Sequence, residues 1–263
     1  MRNIYRETFE QVRAPEDLWR EIREIPAREQ RPVRRRRVSG GVLAAVLILA
    51  LTGTALAAVY RVEIRNFTPE QLAETGADHA YKVLTDVERT PLEAFSQEAL
   101  DAAAGAERFW EQKFDTWAEA EDFLGTRVPG VEAPATLQLK TRNGELAEAE
   151  LRSYPLPLQT PTDRLNIGVR ATLYTENYVE EPGDNTFLYY GLPDPNYSIE
   201  REDLRYQLPD GEEAVMVSTW DDDSGGVDAF LVRGNIRYWV YATYVLYDRE
   251  TVLEEVEFIL QNL

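Results

Sequence analysis

Val38 to Tyr60 is an unbroken strip of apolar and small residues without a single charged side chain. As a helix it would reach roughly 34 Å, enough for a hydrocarbon core of about 30 Å, so the pattern predicts one transmembrane helix over residues 38–60. Ahead of it, Ile4, Phe9 and Val12, then Leu18, Trp19, Ile22 and Ile25, recur at helical spacing. Ala14-Pro15-Glu16-Asp17 separates the two groups and Pro26 closes the second, which predicts a short helical head within residues 1–37. Beyond the strip, Thr68-Pro69-Glu70-Gln71 and Thr90-Pro91-Leu92-Glu93 carry capping-box spacing with proline at the first helical position. Residues 61–114 are therefore expected to form a helical neck, with Tyr81, Val83 and Val87 compatible with strand or helix. Thr116-Trp117-Ala118-Glu119 opens a further helix that should stop at Gly125.

After Pro134 the period shortens to two. Leu137 and Leu139 alternate with polar residues, and Asn143-Gly144 is a tight hairpin signal leading into Leu146 to Leu151. Leu165 to Tyr174 reads as a strand with Ile167, Val169, Ala171 and Leu173 on one face. Val215 to Trp220 and Val227 to Val232 flank an Asp/Gly-rich turn, and Gly234-Asn235 turns into Ile236 to Tyr247, apolar on both faces and so expected at the centre of a sheet. Asp248 caps a last amphipathic helix with Val252, Val256, Ile259 and Leu263 inward. The expected class is α+β: the short helical head, the transmembrane helix, and residues 115–263 as a domain of antiparallel β-sheet packed with helices.

The net charge of −19 is unevenly distributed. Residues 1–37 hold 11 arginines against 7 acids, whereas residues 61–263 hold 17 basic and 40 acidic side chains. An acidic body of that charge repels nucleic-acid phosphates, so no nucleic-acid partner is expected. Arg34, Arg35, Arg36 and Arg37 abut the apolar strip. By the positive-inside tendency they set the membrane topology, with the N-terminus cytoplasmic and the C-terminal domain extracytoplasmic. The expected location is the cell membrane, single-pass, with the lipid bilayer as a partner. Ala55-Leu56-Ala57 is the competing signal, for cleavage as a secretory leader. The head is too short to bury its own apolar face, so Phe9, Val12, Leu18, Trp19, Ile22 and Ile25 are the expected partner-binding residues, against a protein or the membrane surface.

Little chemistry is legible. There is no cysteine and one histidine, His79, which removes thiolate sites and multi-histidine zinc sites. No glycine-rich phosphate loop, nucleophile elbow or paired-histidine metal motif occurs. Asp221-Asp222-Asp223 lacks the ligand spacing of a calcium loop and reads as a solvated turn, and Glu180 to Asn185 reads as a plain loop. Tyr238, Trp239, Tyr241, Tyr244 and Tyr247 suit either core packing or a ligand groove. No catalytic residue, metal or cofactor is expected.

The head from Tyr5 to Leu18, the arginine cluster and the apolar strip together resemble bacterial single-pass proteins, common in clostridia, described as anti-sigma factors or envelope-stress regulators. Trp117 to Leu124, Glu213 to Val217, Ile236 to Tyr247 and the closing helix resemble their extracytoplasmic domain of unknown function. The resemblance implies a non-enzymatic regulator whose head binds a cytoplasmic sigma factor while the outer domain senses a signal. The zinc-binding head of many such factors is excluded, because this chain has no cysteine. The alternative expectation is a membrane-anchored module that binds an extracytoplasmic ligand such as a lipid, glycan or peptide.

Overall fold

Eleven strands, four α-helices and a 3-10 turn at Leu92–Ala94 follow one another in a computed structural model that describes residues 61–263, except 159–161, 163, 182 and 190–198. The strands are β1 (Val62–Asn66), β2 (His79–Thr85), β3 (Phe109–Phe114), β4 (Ala135–Arg142), β5 (Glu145–Ser153), β6 (Leu165–Tyr174), β7 (Thr186–Tyr189), β8 (Glu200–Gln207), β9 (Glu213–Trp220), β10 (Ser224–Arg233) and β11 (Ile236–Val245). The helices are α1 (Pro69–Thr75), α2 (Gln97–Ala104), α3 (Trp117–Leu124) and α4 (Arg249–Asn262).

Eight strands make one antiparallel sheet in the order β3-β4-β5-β6-β11-β10-β9-β8, and β1-β2-β7 make a second, three-stranded sheet. The large sheet is built from the period-two segments. On β6, Ile167, Val169, Ala171 and Leu173 are fully buried, and on β11 Tyr238 and Val240 continue the same apolar layer. That face is closed by helices, α2 over β4 and β5 and α4 over β10 and β11. The opposite face is handled differently along its width. Over β9 and β10 the small sheet covers it, where Val62, Tyr81 and Val83 meet Val215, Val217, Phe230 and Val232 in a second core. Over β4, β5 and β6 the same face carries polar side chains.

Several local expectations hold. Asn143 and Gly144 have positive φ and form the β4–β5 hairpin. Thr68 and Gln71 exchange both bonds of a capping box at α1. Thr116 caps α3, Gly125 ends it in the left-handed region, and Asp248 caps α4. β11 lies between β6 and β10, inside the sheet as its sequence predicts.

The fold class needs correction. The α+β reading underestimates the strands: the domain is mostly β and sandwich-like, two sheets packed face to face with helices on the outer side of the larger one. The helical neck is not one. Residues 61–114 supply β1 and β2 to the small sheet and β3 to the edge of the large one. Thr90 does not open a helix; its hydroxyl accepts from Asn235, and Ser96 caps α2 instead. The membrane reading is corrected as well. Among the described residues no helix is long and apolar enough to cross a membrane. The longest of them, α4, has 14 residues and so reaches about 21 Å with one polar face. The single-pass cell-membrane location is therefore not carried forward. The strip over 38–60, the partner-binding residues Phe9, Val12, Leu18, Trp19, Ile22 and Ile25, and the arginines Arg34, Arg35, Arg36 and Arg37 lie outside the described residues.

Candidate functional site

Antiparallel register places the polar side chains of the uncovered sheet face in rows. Arg152 on β5 pairs with Arg170 on β6, and Arg170 with Trp239 on β11. In the next row Gln138 pairs with Glu150, Glu150 with Thr172, and Thr172 with Arg237. In the third, Lys140 pairs with Glu148 and Glu148 with Tyr174. The small sheet's last strand and the loop before it wall this face on one side, contributing Asp184, Asn185, Phe187 and Leu188. Between wall and sheet lies a cavity of about 390 Å³. A second, of about 420 Å³, adjoins it through Lys140, Glu148, Tyr178 and Asp184, and opens past Phe109 and Val179, both 53% exposed.

The floor is polar yet sheltered: Glu148 is 9% exposed, Glu150 7%, Thr172 6% and Arg237 7%. Buried charges of this kind are costly unless paired. Lys140 meets Glu148 at 2.7 Å. Burial works to lower the lysine's pKa, and Glu148, with Glu150 and Tyr174 adding to it, outweighs that burial, leaving the ammonium above its usual value. Burial pushes the Glu148 carboxyl up, and Lys140 opposes this without cancelling it. Glu150 lies 4.0 Å from Arg152 and 3.8 Å from Arg170. The Arg170 guanidinium also sits 4.7 Å above the Trp239 ring. Asp184 accepts from the Tyr178 hydroxyl at 3.0 Å and from the Glu181 amide at 2.8 Å.

Arg237 is different. Its Nη1 donates to the Tyr174 hydroxyl at 3.0 Å and to Asn185 Oδ1. Burial raises the Tyr174 pKa and Arg237 acts against that rise. No described carboxylate lies within ion-pair distance of Arg237, and its Nε has no acceptor. Arg170 Nε is likewise without one.

Beside the cavity, a buried carboxylate joins the two sheets. Asp228 on β10 accepts from Tyr81 at 3.0 Å, from Tyr189, and from Trp239 Nε1 at 2.8 Å. Burial pushes its carboxyl above the usual range against the pull of those three donors. The same burial raises both tyrosines well above their usual value.

Other sequence candidates resolve plainly. Asp221 accepts from the amides of Asp223 and Ser224 and from the Ser224 hydroxyl, so the triple-aspartate segment is a self-satisfied turn. Among the described residues no cluster of three histidines or carboxylates is placed to hold a metal. His79 Nε2 lies 3.0 Å from the Ile199 carbonyl oxygen, on the small sheet. The aromatic run splits by parity, with Tyr238 and Tyr244 in the helix-side core and Trp239 in the cavity wall. The loop read as featureless, Glu180 to Asn185, supplies Asp184 and Asn185 to the cavity.

Sequence reasoning missed Lys140, Glu148, Glu150, Arg170, Thr172, Tyr174 and Arg237. The available signal was the off-phase position: each occupies the alternate face of a strand whose other face is core, and Arg237 interrupts a segment otherwise read as apolar on both sides. Comparison of the chain with family models, curated proteins and solved structures finds no match.

Proposed function

We propose that residues 61–263 are a ligand-binding module that takes a small molecule into the cleft beside β4, β5, β6 and β11 and does not transform it. The observation that supports this most strongly is the floor itself. Four polar side chains less than a tenth exposed line an open cavity of about 390 Å³, within the size range of small-molecule sites. A purely structural sheet face has no reason to keep ionisable groups both sheltered and uncovered. The binding reading is favoured over a catalytic one by the state of the groups present. Lys140 is held in an ion pair, and His79 is bonded to a backbone carbonyl away from the floor. The residues expected to bind a cytoplasmic partner lie outside the described residues and support no part of this reading.

The test is a ligand-observed NMR screen of a chemically diverse fragment library against the full chain and a Thr172→Phe variant. Thr172 lies mid-floor, and a phenyl ring there fills the space above it. Fragments whose signals broaden with the wild type and not with the variant support the reading. A library without such fragments sinks it.

A further inference from the structure

Arg237 is a buried cation without a carboxylate partner among the described residues, its guanidinium 5.7 Å from the Phe230 ring centre, and its surroundings say what would answer it. One guanidinium edge is committed, Nη1 to Tyr174 and Asn185. On the other edge Nε is buried and has no acceptor among the described residues, and the residue is 7% exposed. Arg170 stands diagonally across the β6–β11 pair, on the same face, with its own Nε unaccepted. Thr172, the direct partner of Arg237, lies between them in the floor. We propose that this Arg237–Thr172–Arg170 corner is the anion subsite of the cleft and receives the carboxylate of a small organic acid with an apolar body.

Three features of the cleft narrow the chemistry. A guanidinium edge presents two parallel N–H groups, which match the two oxygens of a carboxylate. The corner's negative neighbours are already engaged: Glu148 by Lys140, Glu150 by Arg152 and Arg170, and Asp184 by Tyr178 and the Glu181 amide. Those three acids still surround the cavity, so a single negative charge is accommodated at lower cost than the double charge of a phosphate monoester. Towards the mouth the character changes, with Phe109 and Val179 exposed beside the stem of Lys140 and the Tyr178 ring. An apolar body extending from the carboxylate would cover them. The assignment rests on the cleft being a binding site, and it adds the class of ligand.

The experiment uses the full chain with three probes: 4-phenylbutanoate, its neutral amide 4-phenylbutanamide, and inorganic phosphate. Affinities are measured by titration calorimetry for the wild type and for Arg237→Met, Arg237→Lys and Arg170→Met. The acid is expected to bind at least about tenfold more tightly than the amide, a difference of about 1.4 kcal/mol. Arg237→Met and Arg237→Lys should both remove that preference, because an ammonium carries the charge without the fork. Arg170→Met should weaken the acid and spare the amide. If Arg237→Met fails to fold, the comparison of acid with amide on the wild type and on Arg170→Met decides alone. Equal affinity for acid and amide overturns the carboxylate subsite while leaving the cleft a binding site. Phosphate bound more tightly than the acid overturns the choice of carboxylate. Failure of all three probes to bind at millimolar concentration overturns the inference, and the fragment screen separately decides the binding reading.

Discussion

Tyr81→Phe tests how the small sheet is held. Tyr81 is fully buried, and its hydroxyl donates to Asp228 across the interface between the sheets at 3.0 Å. Phenylalanine keeps the ring, its stacking on Phe187 and the Arg201 guanidinium 4.7 Å above it, so no large cavity opens. What disappears is the hydroxyl's hydrogen bond to the buried Asp228 carboxyl and its 3.2 Å contact with the Tyr189 hydroxyl, a loss of about 1.5–3 kcal/mol for a charged carboxylate acceptor against about 1 for neutral partners. At neutral pH the loss should be about 2 kcal/mol, and for a domain of this size the melting temperature should fall by about 4–8 °C.

The pH dependence gives the sharper reading. Burial raises the folded-state pKa of Asp228, so its charge costs stability above that pKa, and the cost is relieved as pH falls towards the ordinary carboxylate value. Removing a donor raises the folded pKa further. The variant's deficit must therefore grow as pH rises through the window above the ordinary value of 3.8. Urea unfolding followed by tryptophan fluorescence measures this, at neutral pH and at the lowest pH where the wild type still unfolds in one transition. A deficit that is the same at both pH values would refute the assignment of a charged Asp228 at the interface.

Two further changes test other parts of the fold. Ser96→Ala should cost about 1–2 kcal/mol in the same assay, because its hydroxyl accepts from the Ala99 amide as the α2 cap and donates to the Phe123 carbonyl at the end of α3; an unchanged midpoint would return the start of the helix to Thr90. Gly130→Ala should cost about 1–3 kcal/mol or more, since a Cβ there would stand 2.1 Å from the Trp117 indole, whose N–H is fixed on the Val128 carbonyl; a thermal melt matching the wild type would show that the indole can move aside.

The strands that proved easiest to read are those with one apolar face and a strong turn. Asn143-Gly144 and the alternation from Leu165 to Tyr174 specify a hairpin and a strand by local rules, and both lie where expected. The small sheet was illegible for a physical reason. β1 and β2 are short, and β2 is paired by β1 and β7 from opposite sides, with β7 more than a hundred residues away in sequence. Local propensity around Thr68 and Thr90 argues for helix, and at Thr90 tertiary pairing with Asn235 overrides it. The cleft was hidden by the same alternation that revealed the core. Periodicity identifies Ile167 and Val169 as inward, and says of Arg170 and Thr172 only that they point the other way. Whether that face is solvent, interface or cavity depends on where the small sheet sits.

That dependence links the two polar assemblies. Asn185 and Phe187, which wall the cavity opposite Arg237, belong to β7 and the segment before it, and β7 is anchored on the large sheet through Tyr189 and Asp228. Trp239 belongs to both assemblies, its N–H on Asp228 and its ring beneath Arg170. A cavity with these walls exists only while the small sheet is docked. A ligand seated between Arg237 and Asn185 therefore binds the docked state and stabilises it by mass action, about 2.7 kcal/mol at a hundredfold excess over Kd. That gain is of the same size as the loss assigned to Tyr81→Phe. Saturating ligand should bring the Tyr81→Phe melting temperature back to about that of the unliganded wild type. If ligand raised the wild-type temperature and left the variant where it was, the cleft would not survive the loss of that one hydroxyl, and the carboxylate between the sheets would be part of the binding site.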